Sequence, residues 1–130
     1  MSIVTIPDSH KDLFERKILA ALATVQPDSG PQVTPVWISL KGDKVLVNTA
    51  AGRRKYKNLI NRKHATVLLV DPEDGHRFIE VRGTVSEVIR DADQDINDLA
   101  NKYLGTEYPG FVEGEERVTF LIQPDRIVVS

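Results

Sequence analysis

The sequence of 130 residues contains no cysteine, one tryptophan and one methionine. Without cysteine there can be no disulfide, no thiolate metal site and no cysteine nucleophile, which fits a reducing compartment. No apolar run approaches the roughly 20 residues a membrane helix needs. The start, Met1-Ser2-Ile3-Val4-Thr5-Ile6-Pro7-Asp8, lacks the basic opening and apolar stretch of a secretory signal, so the cytoplasm is expected. Gly-x-x-x-x-Gly-Lys-Ser/Thr, Gly-x-Gly-x-x-Gly and the Gly-x-Ser-x-Gly elbow are all missing, which removes the common phosphate loop, dinucleotide turn and hydrolase nucleophile. His10, His64 and His76 stand apart with no metal-ligand spacing, and no metal site is expected. Asp91-Ala92-Asp93-Gln94-Asp95 is not a calcium loop, because Ile96 and Lys102 occupy the positions that would need Gly and Glu. No catalytic residue can be named, so any chemistry would belong to a cofactor.

What remains is ordinary globular material: 41% apolar, 28% charged, with a net charge of −2 from 17 basic and 19 acidic residues. This is expected to be one domain over 1–130. A mildly acidic chain without an aromatic–basic stripe is not built for nucleic acid or an anionic membrane. Asp8 or Ser9 could cap a short helix reaching Lys17. Ile18–Val25 reads as a strand buried on both faces, and Gln32–Leu40 as a second strand after the turn Pro27-Asp28-Ser29-Gly30-Pro31. Lys41-Gly42-Asp43-Lys44 reads as a tight hairpin leading into a third strand, Lys44–Thr49. Further strands are expected at Ala65–Val70, at Phe78–Ile89 with a bulge at Gly83, and at Arg117–Gln123 and Ile127–Val129. Asp91–Leu104 reads as a helix with an acidic first turn and Gly105 past its end. The pattern predicts a mainly β (α+β) fold, an antiparallel sheet of about six strands closing into a small barrel with short flanking helices.

One stretch breaks the rules of its own element. Gly52-Arg53-Arg54-Lys55-Tyr56-Lys57-Asn58 places four cations in five residues at a helix start, where the dipole favours acids. A charge run is ordinarily a solvated helix face. Here the cations oppose the dipole and repel one another, at a cost of about 0.3–1 kcal/mol each. The arrangement becomes sensible if an anion sits at the helix start, held by backbone N–H groups and side chains together. At 100° per residue Tyr56, Leu59 and Ile60 face inward, Arg53 and Lys57 lie on one edge, Lys55 lies on the other, and Arg54 points most nearly away. Trp37 is either a core or interface anchor or part of a platform for a flat ligand. Pro35, two residues before it, signals an edge, a bulge or a break in the strand.

Three segments, Gly30–Trp37, Val47–Leu59 and Val81–Val85, taken in that order, resemble the pyridoxamine 5′-phosphate oxidase-like split-barrel superfamily. With the ending Arg117–Ile127 they are most similar to its small actinobacterial-type branch, which uses the deazaflavin coenzyme F-420. The resemblance covers most of the chain. It implies a six-stranded split β-barrel of the flavin-reductase type and a homodimer with two cofactor sites at its interface. By position, Arg53 and Lys55 would hold the cofactor phosphate, with Lys57 and Asn58 beside them. Thr34, Pro35, Val36 and Trp37 would face the ring system, and Asn48, Thr49 and Ala50 would line the same cleft. The implied reaction is hydride transfer between reduced F-420 and a small electron-poor substrate. FMN is the alternative cofactor, since both carry a ribityl phosphate, and a non-catalytic flavin carrier is the alternative role. Ser130 ends the sequence short of the C-terminal portion that pyridoxamine phosphate oxidases use for substrate, so vitamin B6 oxidation is not expected.

Overall fold

The computed structural model describes residues 4–130, so the first three residues of the N-terminal reading lie outside it. Seven strands form one antiparallel sheet: β1 Ala20–Val25, β2 Pro31–Val36, β3 Ser39–Lys41, β4 Lys44–Ala50, β5 His64–Asp71, β6 Asp74–Ile89 and β7 Arg117–Val129. Their order is β2-β1-β5-β6-β7-β4-β3. The sheet curls into a split β-barrel, and the three helices, α1 Lys11–Glu15, α2 Arg54–Arg62 and α3 Asp93–Leu104, flank it.

Curvature comes from β6 and β7, whose pairing slips at Arg82/Gly83 and again between Val85 and Glu87. Each extra residue bends the strand and adds twist. Glycine is required at 83, because a Cβ there would lie 2.5 Å from the carbonyl oxygen of Gln123. The core inside the curl includes Leu22, Val45, Val67, Ile79, Phe120 and Ile122, all at most 1% exposed. A second, smaller cluster, Leu46, Ile96, Leu99 and Leu121, joins α3 to the opposite face of β4 and β7. Every other residue of these strands points to one face, so two separate apolar layers can share them.

Several elements differ from expectation. The first strand starts at Ala20, lies between β2 and β5, and buries alternate residues fully while those between are half-buried. The expected second strand is two strands, interrupted at Trp37 and Ile38, while the two closing segments are one continuous β7. The sheet has seven strands where about six were expected. Helix α1 stops at Glu15 and follows a 3-10 turn, Asp8–His10, entered from Pro7 with no side-chain cap. His10, in that turn, is buried: its Nε2 lies 3.0 Å from the Ser130 carbonyl oxygen and its Nδ1 2.8 Å from Ser9 Oγ.

Candidate functional site

Strand β4 ends at Ala50, the chain turns through Gly52 at φ 97°, and α2 begins. Gly52 is there because an L side chain rarely adopts that angle. Arg53 takes the N-cap place in extended backbone and makes no side-chain cap bond. The first-turn amides of α2 therefore have no capping oxygen, and the nearest side chains are cations.

Beside this helix start lies a cleft of about 230 Å³. Its cations are Arg53, Lys55 and Arg117, and no carboxylate lines it. The rest of its lining is mostly apolar and aromatic and includes Pro35, Val36, Trp37, Leu99 and Tyr108. Burial pulls the Lys55 ammonium pKa below its ordinary value, and the positive charges of Arg53 and Arg117 lower it further. A site of three cations whose mutual repulsion is felt by one of them is complementary to an anion.

The aromatic wall depends on the break between β2 and β3. An interrupted strand leaves backbone groups that the ladder no longer satisfies. Tyr103, in the last turn of α3, answers one of them: its hydroxyl accepts the Ile38 N–H at 3.2 Å and donates to the Ile18 carbonyl at 2.7 Å. Lys102 answers the other, donating through Nζ to the Ile38 carbonyl at 2.6 Å and also to the Phe14 carbonyl. Burial lowers the Lys102 pKa to about 8, with Glu15 opposing the shift. The Tyr103 ring stacks on Trp37 with centroids 5.4 Å apart and planes 8° from parallel, and Tyr108 meets Trp37 edge-on at 6.1 Å.

Of the residues singled out in the sequence, Pro35, Val36, Trp37, Asn48, Thr49, Arg53 and Lys55 line this cleft. Thr34, Ala50, Lys57 and Asn58 do not. Thr34 pairs with Leu22 within the sheet, and Ala50 is buried in its pair with Arg117. Lys57 is on the exposed surface, as is Arg54. Asn58 is 1% exposed and turned toward β1, where its amide donates to Thr24 Oγ1 at 3.0 Å. It belongs to the helix–sheet seam because residue 58 falls on the inward stripe beside Leu59. Arg117 and Tyr108 escaped the sequence reading. The one signal for Arg117 was a cation opening an apolar strand; Tyr108 sits in an irregular loop that offers no periodicity.

The fold and the cation-lined cleft are those of a split-barrel protein similar to the pyridoxamine phosphate oxidases. The chain belongs to the pyridoxamine 5′-phosphate oxidase family, whose model matches residues 6–128. An F420 reductase of known structure is 27% identical, superposes with a TM-score of 0.85, and is matched over 95% of this chain and 98% of that one. A conserved hypothetical protein of Mycobacterium tuberculosis shares the fold at 20% identity and a TM-score of 0.77, over 98% of this chain and 85% of that one. HupZ of Group A Streptococcus does so at 22% identity and a TM-score of 0.70, over 95% of this chain and 93% of that one. No curated protein sequence matches the chain. The family is one of flavin- and deazaflavin-related oxidoreductases.

The residues present fit such a cofactor. The cleft holds cations without acids, and Arg117 keeps its Nη1 buried and without a hydrogen-bond partner. A buried donor left unpaired costs about 1–3 kcal/mol, so its retention suits a ligand that supplies the acceptor.

Proposed function

We propose that the protein is an oxidoreductase that binds coenzyme F-420 and moves a hydride between the reduced deazaflavin and a small electron-poor organic substrate. The observation that carries this reading is the trio Arg53, Lys55 and Arg117 in a cleft that no carboxylate lines, beside an aromatic wall at Trp37. Arg53, Lys55 and the free amides of the α2 start would hold the cofactor phosphate. Pro35, Val36 and Trp37 would face the ring. The cofactor supplies the hydride; the chain binds, orients and excludes water. The likeness to an F420 reductase supports the deazaflavin over FMN.

A homodimer belongs to the same proposal. Leu19 and Val33 are 58% and 61% exposed, Leu19 lines the cleft, and Val33 lies on edge strand β2. A second copy covering them would close the cleft and complete the cofactor site.

Titration with F-420 and, separately, with FMN, followed by fluorescence, tests the reading. The expected result is saturable F-420 binding at lower concentration than FMN, by a species of dimer mass in light scattering. Preference for FMN would move the protein to the flavin alternative, as oxidoreductase or carrier. Binding of neither would overturn the proposal.

A further inference from the structure

Arg117 is a cation in an unusual place. It opens β7, is 3% exposed, and faces the cleft from the strand beside β4 rather than from α2. Its side chain is held by a chain of directed bonds. Nε donates to Asn48 Oδ1 at 3.0 Å. The Asn48 amide cannot turn over, because its Nδ2 donates to the Ala92 carbonyl at 3.0 Å and to Thr119 Oγ1 at 2.9 Å. The Thr119 hydroxyl in turn donates to Asp95 Oδ2 at 2.7 Å. This fixes every donor and acceptor from Asp95 to Nε. The guanidinium also lies 5.0 Å from the Tyr108 ring centroid, which covers one of its faces.

With Nε fixed and a face covered, the Nη edge is what remains. Glu115 Oε1 stands 3.5 Å from Nη1, an ion-pair distance without hydrogen-bond geometry, and Nη1 is left buried with no hydrogen-bond partner. A guanidinium built only to stabilise the strand would be fully paired, since leaving one donor unmet is costly. A guanidinium oriented at its base and open at its fork suits a two-pronged oxyanion.

We propose that Arg117 is a third phosphate-holding residue, set on β7 beside Arg53 and Lys55 of the α2 start, and that Asn48, Thr119 and Asp95 position it. The proposal rests on the cofactor reading above and names the part of the cofactor it concerns. The anion would be gripped from two elements, the α2 start and the first residue of β7, instead of from the helix alone. Glu115 is the internal competitor that the phosphate displaces.

The test compares ligands with and without the phosphate: FMN against riboflavin, which differ by that group alone, and in support F-420 against the deazaflavin that lacks the phosphate and the tail beyond it. Arg117→Gln should weaken binding of the phosphate-bearing ligand at least tenfold and change the phosphate-free one less than twofold. Arg117→Lys should recover part of the loss, having charge without the fork. Asp95→Asn should give a smaller loss of the same selectivity. Equal weakening for both ligands, or unchanged phosphate-ligand affinity, overturns the proposal. Should Arg117→Gln fail to fold, Glu115→Gln decides the matter: freeing Nη1 should tighten the phosphate-bearing ligand severalfold, and unchanged or weaker affinity overturns the role. Parent protein that binds neither FMN nor F-420 overturns the proposed function itself, a result distinct from all of these.

Discussion

Two groups of cations on this molecule are opposites. Near α1, Arg16 and Arg77 are met by acids on all sides: Asp12, Asp71 and Glu73 lie within 2.5 to 3.7 Å of them. That network ties α1 to the β5–β6 hairpin. In the cleft, Arg53 and Lys55 meet no acid, and Arg117 has only the misaligned Glu115. The first group is complete as folded; the second is complete only with something added. Clusters of cations thus carry different meanings, and the difference lies in whether counter-ions are supplied by the chain.

The comparison can be broken most severely at the cleft. Arg53→Ala with Lys55→Ala should weaken cofactor binding about a hundredfold or more, as two charge-assisted hydrogen bonds at roughly 1.5–3 kcal/mol each are lost. The thermal midpoint should stay level or rise, because the helix start sheds charges that oppose its dipole. Unchanged affinity in a fluorescence titration would remove the phosphate role from both residues. Arg77→Ala should do the reverse, lowering the thermal midpoint and leaving cofactor affinity within twofold of the parent.

Acid sharpens the contrast. Hydrogen bonds from Arg77 hold Asp12 below the usual carboxylate range; a backbone bond from Glu73, then Arg77, does so for Asp71. Carboxylates with depressed native values stabilise fully above their unfolded pKa, about 3.9, and lose that contribution as pH falls through the native values. Urea unfolding should therefore weaken below about pH 4 in the parent, and less so in Arg77→Ala. The smallest effect concerns protons. An anion beside Lys55 would restore the ammonium that burial, Arg53 and Arg117 disfavour. Cofactor binding on the alkaline side should then take up protons. Calorimetry in two buffers of different ionisation enthalpy reads this directly, and proton release would contradict it.

Much of this was legible in the residues. The hairpin at Gly42, the bulge at Gly83, the helix stop at Gly105 and the misplaced cations each carry a local physical signature, and each is found where it was read. What could not be read depends on chain segments far apart. Pro35 signals that the strand is open to a break, but not where it stops, because the groups that make the break tolerable, Lys102 and Tyr103, lie about 65 positions downstream. Asn58 is a ligand residue only by what the resemblance implies; its partner Thr24 is 34 positions away. Arg117 draws its meaning from Asn48, Thr119 and Asp95, which no linear pattern groups together.

The interrupted strand has a consequence for how such a protein can diversify. Trp37 rests on Tyr103, and Ile38 is pinned by the same last turn of α3, so the aromatic wall is set from that turn, at the far end of the helix from Asp95, which reaches Arg117 through Thr119 and Asn48. Substitutions along that turn can tilt the platform while the anion grip stays untouched. A lineage could thus drift in which molecules it accepts at one end of the cleft while keeping one cofactor at the other, with two sets of positions under separate selection.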